Sequence, residues 1–430
     1  MSFDVVIAGG GFGGFYAART LERVLPAHST RVTLVNDANF MLYTPLLPGA
    51  AGATLDPRHV IVPLRSHLRQ TDLVIGRVTA ANPSQNTLNV SRIDGQELEL
   101  SYDQLILALG SVSRTLPIPG LAEHAIGLKS LADATALRNR VLDCLDIAES
   151  LADPAMRREY LGFVFVGAGY AGVEGLAELQ DFAAQVIDLY PRCRADGMSW
   201  TLIEARERIM QEVPASLSSH AERELRSRGI KILTRMTLER ITEHSATICS
   251  GEEIPARTVV WTAGVKPSPV VASLGLPLDS SGRIAVDSCM AVQANAGVWA
   301  IGDCAAVPDP ARKGQPCPPT AQHAIRQGRR VAENVAGALD GRKTRPFRYR
   351  TLGVVCDLGQ RQAVAITAGV RWRGLPAWLI ARTYHLLLMP GWGRRLRLLV
   401  DWNVALLFGR DASSPGRLGG PSTLERVNDS

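Results

Sequence analysis

The chain has 430 residues, 46% of them hydrophobic, with a formal net charge of +6. That length exceeds a single core and sets an expectation of two or three domains, while the apolar share excludes a disordered polyelectrolyte. Seven cysteines, at 144, 193, 249, 289, 304, 317 and 356, never form C-x-x-C, and their odd count and wide spacing fit a reduced compartment better than a disulfide framework.

From Phe3 an apolar, strand-like run, FDVVIAGGGFGGFYAARTL, turns through Gly9, Gly11 and Gly14 into a helix with Phe12 and Gly13 at its start. No signal peptide precedes it, so the chain is expected to stay in the cytoplasm. In such a unit one glycine makes the turn, one admits a pyrophosphate to the backbone and one lets the helix pack close. The second strand, residues 31–35, ends at Asn36, where an acidic residue usually takes ribose hydroxyls. The amide oxygen of Asn36 still accepts a hydrogen bond, without charge. Residues 39–63 are rich in Pro and Gly yet apolar. They are expected either to wall a flat flavin ring, Pro45 included, or to lie buried beneath the domain. Residues 74–100 predict a small β-meander, and residues 102–110 a buried parallel strand ending in Gly110. Helical periodicity then runs from 130 to 152 with no evident chemistry.

The glycine unit recurs at 161–179, LGFVFVGAGYAGVEGLAEL, with Gly167, Gly169, Tyr170 and Gly172 at the turn. Two such units imply two dinucleotides. The second strand of this copy, residues 200–203, ends at Glu204, whose carboxylate suits a ribose diol and repels a 2′-phosphate; this favours NADH over NADPH, although Arg206 and Arg208 stand close. Asp196 and Gly197 read as an insertion before that strand. A strand over 258–262, followed by Ala263 and Gly264, closes the second unit as Leu109 and Gly110 close the first. Residues 297–301 deliver Gly302 and Asp303 to a turn, where Asp303 could bond a ribityl chain or cap the next segment. A helix from about Thr320 sets Gln322 and Arg326 on one face.

Residues 340–430 hold 15 Lys and Arg against 6 Asp and Glu, a net of +9 that leaves residues 1–339 at −3, and four of the seven tryptophans. Residues 375–389 are nearly all apolar, interrupted by Arg382 and His385, and too short to span a bilayer. In 394–408, Arg394, Arg397 and Asp401 share one face while Leu396, Leu399, Trp402 and Leu406 lie toward another. No nucleic-acid motif accompanies the basic charge. The expected partner of residues 375–410 is therefore an anionic membrane surface, with a homodimer interface or a core cover as the alternative use of the same face. After Arg410 the Ser-, Pro- and Gly-rich end reads as disordered.

The ordered blocks VIAGGGFGG, LYTPLLP, YDQLILALG, GAGYAGVEGLAEL, VVWTAGV, VWAIGDCA and TAQHAIRQG, with the Trp/Arg-rich tail, resemble the type II NADH:quinone oxidoreductases. These are single-subunit, non-proton-pumping respiratory flavoenzymes. The resemblance implies an α/β fold of two Rossmann-like dinucleotide-binding domains, the second inserted in the first, plus a C-terminal membrane-associated α+β tail. It assigns residues 1–118 and 276–345 to FAD, 119–275 to NADH and 346–430 to the tail. FAD would lie against Gly9, Gly11, Phe12, Gly13, Gly14, Asn36, Pro45, Gly110, Gly302 and Asp303. NADH would lie against Gly167, Gly169, Tyr170, Gly172, Glu204, Ala263 and Gly264. Glu174 would act near the nicotinamide and flavin rings, orienting the one or relaying a proton; Gln322, with Arg326, would meet the quinone; no metal is implied. Arg326 stands where the family has a second glutamine, which bears on quinone identity, as Asn36 bears on FAD affinity. The implied reaction passes a hydride from NADH to FAD and two electrons to a membrane quinone at the cytoplasmic face of the cell membrane. Three alternatives stay open: a soluble NAD(P)H:ferredoxin-type reductase, a sulfide:quinone oxidoreductase drawing on Cys304, Cys317 and Cys356, and a non-catalytic flavin and NADH redox sensor.

Overall fold

A computed structural model describes residues 3–26, 29–293, 295–312, 314–351 and 353–414. The end expected to be disordered falls largely on residues 415–430, outside the described residues. Both glycine units fold as strand, turn and helix. In the first sheet Phe3–Ala8 is central, with Gln104–Leu107 and Val298–Ala300 on one side and Thr30–Asn36 and Thr71–Asn82 on the other. These pairings are all parallel. Parallel strands carry crossovers over both faces, and so their sequences are unbroken apolar runs. One sheet thus takes strands from near residue 3 and near residue 300.

The meander belongs to this same sheet. Thr71–Asn82 is one long strand that pairs parallel with Thr30–Asn36 through its first half, then antiparallel with Thr87–Arg92, which pairs in turn with Glu97–Ser101. The change of partner falls at Gly76, where a Cβ would lie 2.7 Å from the carbonyl oxygen of Ser91.

The second sheet is parallel throughout, in the order Ala125–Gly127, Thr258–Trp261, Gly162–Val166, Ser199–Glu204, Lys231–Thr234. A short helix, Pro191–Asp196, ending at Gly197 with φ +74°, accounts for the extra residues before Ser199. The two connections between the sheets pair with each other, Ser111–Ser113 running antiparallel to Val265–Pro267. The helices Phe12–Val24 and Ala321–Leu339 pack so closely that a Cβ on Gly328 would meet the carbonyl of Gly13 at 2.3 Å.

Much of residues 39–63 is the buried connection that was one of the two readings. Phe40–Leu42 pairs with Ile61–Pro63, and the helix Leu47–Ala51 buries Leu47, Ala50 and Ala51 against the helices Leu131–Ser150 and Tyr170–Val186. Its leading turn, Tyr43 to Pro45, faces a cavity instead. The tail is a three-stranded antiparallel sheet, Gly353–Asp357, Ala363–Thr367 and Val370–Arg373, followed by the helices Gly374–Leu388 and Trp392–Phe408. Ala377 lets the first helix sit on Ala363 and Ala365 of the sheet. The second helix is pinned at its polar side: His59 Nδ1 lies 2.6 Å from an Asp401 carboxylate oxygen, and Arg394 donates to the carbonyl of Arg58 at 2.6 Å. Trp402 does not share the outward face of Leu396, Leu399 and Leu406. It turns inward to Arg382, whose guanidinium lies 4.6 Å from its ring centroid.

Candidate functional site

At the two glycine turns Gly9 has φ +105° and Gly167 φ +100°, a region that favours glycine. A Cβ on Gly14 would meet the carbonyl oxygen of Gly9 at 1.8 Å, and one on Gly172 that of Gly167 at 1.9 Å. Gly11 and Gly169, the helix N-caps, have no atom within 4 Å of their Cβ direction. Each turn is therefore closed on the protein side and open where the first helical N–H groups point, which is the shape a pyrophosphate needs. Gly13 packs beneath Ile301, and Phe12 stands edge-on to Tyr43 with ring centroids 5.4 Å apart. Ala263 lies against the second turn, its backbone nitrogen 2.8 Å from a Cβ built on Gly167.

The strand tips repeat one bond with different chemistry. Asn36 Oδ1 accepts from the N–H of Gly10 at 2.7 Å, and a Glu204 carboxylate oxygen accepts from that of Ala168 at 2.7 Å. Glu204 also accepts from the N–H of Arg206. Asn36, by contrast, donates from Nδ2 to the carbonyls of Ala38 and Phe40, at 2.7 and 3.3 Å. A carboxylate at 36 would face those two oxygens. Asn36→Asp should therefore destabilise the protein by about 1–3 kcal/mol, visible as a lower melting temperature, and should not tighten FAD binding.

A cavity of about 360 Å³ lies between the sheets and the tail, lined by Pro45, Tyr170, Glu174, Gly264 and Gln322, all anticipated from sequence, and by Lys129, Trp261, Tyr384 and His385, which were not. Its remaining walls are largely apolar, including Leu47, Leu128, Ile325 and Leu388, as small-molecule sites usually are. The buried hydroxyl of Tyr170 has no protein partner there. A neighbouring cavity of about 470 Å³ holds Gly302 and Asp303 with Ser111 and Arg114. Asp303 caps no helix: its carboxylate accepts from the hydroxyl of Ser111 at 2.6 Å, and Lys129 donates to the same hydroxyl at 3.0 Å while standing 3.8 Å from Asp303. Gly302, with φ +71°, donates its N–H to buried Gln327. Gly110, φ +67°, is open on its Cβ side just before Ser111.

Arg326 does not line the central cavity; Ile325 does. The guanidinium of Arg326 stacks 4.1 Å from the centroid of Tyr349, whose hydroxyl donates to Gln322 Oε1 at 2.6 Å. Gln322 Nε2 donates to the carbonyl of Gly353 at 3.1 Å, which leaves one amide N–H for a ligand.

Burial sets the electrostatics. Glu174 accepts from the N–H of Asp357 at 3.0 Å, yet burial first, and then the carboxylates of Asp357 and Glu178, push its carboxyl up to about 8. Burial, aided by Arg382, pushes His385 down to about 4, so its ring is neutral at pH 7; Nδ1 lies 3.4 Å from the hydroxyl of Tyr43. Burial also keeps Tyr43 and Tyr170 protonated. The acid and ring groups of the wall are thus uncharged and able to donate hydrogen bonds. The interruption of an apolar helix by His385 was a usable signal. Lys129, just before the Ser130 helix cap, and Asp357, on a tail hairpin, had none.

Two glycine cradles flanking one cavity define an oxidoreductase that handles two dinucleotides. The pyridine nucleotide-disulphide oxidoreductase family matches residues 3–328. The mitochondrial internal alternative NAD(P)H-ubiquinone oxidoreductase A1 of Arabidopsis thaliana is 30% identical over 441 residues, covering 95% of this chain and 85% of the plant protein. The type II NADH:quinone oxidoreductase Ndh of Mycobacterium tuberculosis is 28% identical over 421 residues, covering 94% and 88%. Among solved structures, NDH2 of Plasmodium falciparum in complex with NADH matches with a TM-score of 0.88 over 96% of this chain and 100% of that one; at 19% identity this likeness concerns the fold. The chain belongs to the type II NADH:quinone oxidoreductases, FAD-dependent NADH dehydrogenases.

Proposed function

We propose that this protein oxidises NADH and reduces a membrane quinone through FAD, with FAD held by residues 1–118 and 276–345 and NADH by 119–275. The observation that carries this reading is the central cavity, where Glu174 from the second glycine helix, Gln322 from the Ala321–Leu339 helix and His385 from the tail meet. FAD, when bound, supplies the two-electron step between the substrates. This chain's own residues do the rest. The open faces at Gly11 and Gly169 admit the pyrophosphates, Ser111 and Asp303 offer polar atoms for the ribityl side, and Glu204 takes the ribose of NADH. Glu174 holds a proton at neutral pH. Gln322 offers its free N–H to a quinone carbonyl, and Arg326 acts through Tyr349 rather than on the quinone.

Anaerobic NADH should bleach the yellow protein, and a menaquinone or ubiquinone analogue should restore the colour; failure of the second step would favour the redox-sensor reading. The sulfide alternative is disfavoured by chemistry. Burial pushes Cys304 and Cys317 up to about 11 and Cys356 well above its usual range, and thiols held protonated are poor nucleophiles.

The outer surface of the tail supports a membrane. Trp392 and Phe408 are each 82% exposed, Leu407 72% and Leu396 62%, and no helix among the described residues is long and apolar enough to cross a bilayer. A basic helix with this face would lie in the headgroup plane on the cytoplasmic side. Removing residues 375–430 is a poor test, because Tyr384 and His385 line the cavity and Arg410 is buried against Glu178 and Asp181. Joint replacement Leu407→Glu and Phe408→Glu should instead release the protein from anionic vesicles with its FAD retained. Unchanged flotation, with a dimer that dissociates in sedimentation, would assign the face to a homodimer.

A further inference from the structure

Tyr16 lies on the first glycine helix, Phe12–Val24, just past the glycine cradle. Only 7% of the residue is exposed, yet its hydroxyl has no hydrogen-bond partner among the described residues and is not sealed from solvent. A buried tyrosine ordinarily delivers its hydroxyl to a partner. Three guanidiniums stand around this one. Arg329, on the Ala321–Leu339 helix, lies 5.0 Å from the centroid of the Tyr16 ring. It is brought there by Gly328, where a Cβ would meet the backbone of Gly13 and Ala17. Arg19 is exposed one turn beyond Tyr16, on the same helix face. Arg395 arrives on the last helix, Trp392–Phe408, whose N-cap Gly391 lies against His67, and His67 packs edge-on to Phe15. Burial pushes the Tyr16 hydroxyl up, and the charges of Arg329, Arg19 and Arg395 draw it back.

Among the described residues none of these three arginines forms an ion pair, whereas Arg31, Arg58 and Arg157 each meet an aspartate. Glu22, one turn from Arg19, is engaged by the N–H of Gln70 and the hydroxyl of Thr71. Three unpaired guanidiniums around an unpaired hydroxyl are a donor set for phosphate oxygens. Arg395 fixes the depth of the site. Its guanidinium lies 5.0 Å from the ring centroid of Trp392, which is 82% exposed, and an exposed tryptophan on an apolar helix face sits at the level of lipid headgroups. Arg395 also donates to the carbonyls of Leu387 and Met389, at 2.8 and 2.9 Å, which leaves three of its five N–H groups for a ligand. Those carbonyls end the helix whose His385 and Leu388 line the central cavity.

We propose that Tyr16, Arg19, Arg329 and Arg395 form a site for the phosphate of one anionic phospholipid, at the turn between the two tail helices. The proposal rests on the membrane reading above. It adds to that reading a fixed lipid, held by the first glycine helix and the Ala321–Leu339 helix as well as by the tail. Free phosphate offers the same oxygens, but a lipid presents them at the depth of Trp392 while its acyl chains meet the apolar face beside it. A headgroup without an ammonium is preferred, because three cations already face the phosphate. Arg395 bonds the lipid on one side and the end of the first tail helix on the other. Occupancy therefore steadies the wall that carries His385 and Leu388, and quinone reduction at the membrane depends on lipid charge.

The test uses the full FAD-loaded chain. Extracted from phosphatidylglycerol vesicles in mild detergent, the unmodified protein should retain one phospholipid per chain in native mass spectrometry. Tyr16→Phe and Arg329→Gln should each lose that lipid and keep FAD. Joint Arg19→Gln and Arg329→Gln should raise the dissociation constant for phosphatidylglycerol vesicles on the order of 30-fold for the two charges, and change binding to phosphatidylcholine vesicles little. Tyr16→Phe removes no charge, so its loss of preference for phosphatidylglycerol separates a built site from general surface attraction. If Tyr16→Phe does not fold, a charge-matched pair decides: Arg329→Gln should lose the lipid, and Arg397→Gln, exposed on the last helix, should keep it. Equal retention in Arg329→Gln and the unmodified protein would overturn the site, as would inorganic phosphate that displaces the lipid at equal concentration. Flotation of the unmodified protein with no phospholipid retained would remove the site and leave the membrane reading standing. A protein that floats with neither kind of vesicle would instead remove the membrane reading.

Discussion

Gly169→Val is expected to give a folded, yellow protein that NADH bleaches only at much higher concentration. No atom lies within 4 Å of the Cβ direction at this helix N-cap, so the fold tolerates the side chain. The valine occupies the space where a pyrophosphate would meet the helix N–H groups. The KM for NADH should rise on the order of 100-fold or more, because two lost N–H bonds to a charged pyrophosphate, at about 1.5–3 kcal/mol each, remove at least that much binding. Gly11→Val, the same change in the first unit, should instead yield colourless protein that still folds. The pair tests which cradle holds which dinucleotide, by flavin content and by anaerobic titration. Gly172→Ala is no substitute, since its Cβ would strike the carbonyl of Gly167 and disturb the turn whatever is bound.

Glu174→Gln should slow quinone reduction about 100-fold, the lower range for loss of a general acid, with FAD still bound. Its pH dependence is the sharper measurement. In the unmodified protein the carboxyl titrates near 8, against 4.5 as a free side chain. Between those values the folded state holds a proton that the unfolded chain has lost, so stability falls as pH rises through this window and levels off above it. Glutamine removes that slope, and the variant should melt higher than the unmodified protein at pH 9 while differing little at pH 4. His385 works in the opposite direction. Its ring is pushed from 6.5 down to about 4, so its stabilising contribution is complete above 6.5 and is lost as pH falls toward 4. Rates and melting curves of Glu174→Gln that match the unmodified protein from pH 5 to pH 9 would leave Glu174 with no proton to give.

These expectations draw on two kinds of information. The cradles are local: the φ values at Gly9 and Gly167 and the contacts from Gly14 and Gly172 are set within a few residues of chain, which is why the pattern alone revealed both units. The strand tips at Asn36 and Glu204 were legible for the same reason, because a strand of known length ends where its glycine turn requires. Glu178 and Asp181 follow Glu174 at helical spacing and were passed over in the sequence, because a charged helix face normally meets water. Only packing showed that this one is buried beneath the tail, with Arg410 drawn more than two hundred residues along the chain to meet it. The membership of the central cavity was decided in the same way. Lys129, Trp261 and His385 belong to three segments whose meeting depends on how the sheets and the tail close on one another. Arg326, correctly placed on the face of Gln322, lost the cavity to Ile325 because the ring of Tyr349 offers its cation a better neighbour. Backbone conformation and burial periodicity are short-range properties of a chain, and the sequence alone determined them here. The charge state of Glu174 and the identity of its neighbours are properties of desolvation and distance, which exist only once the tertiary structure has formed.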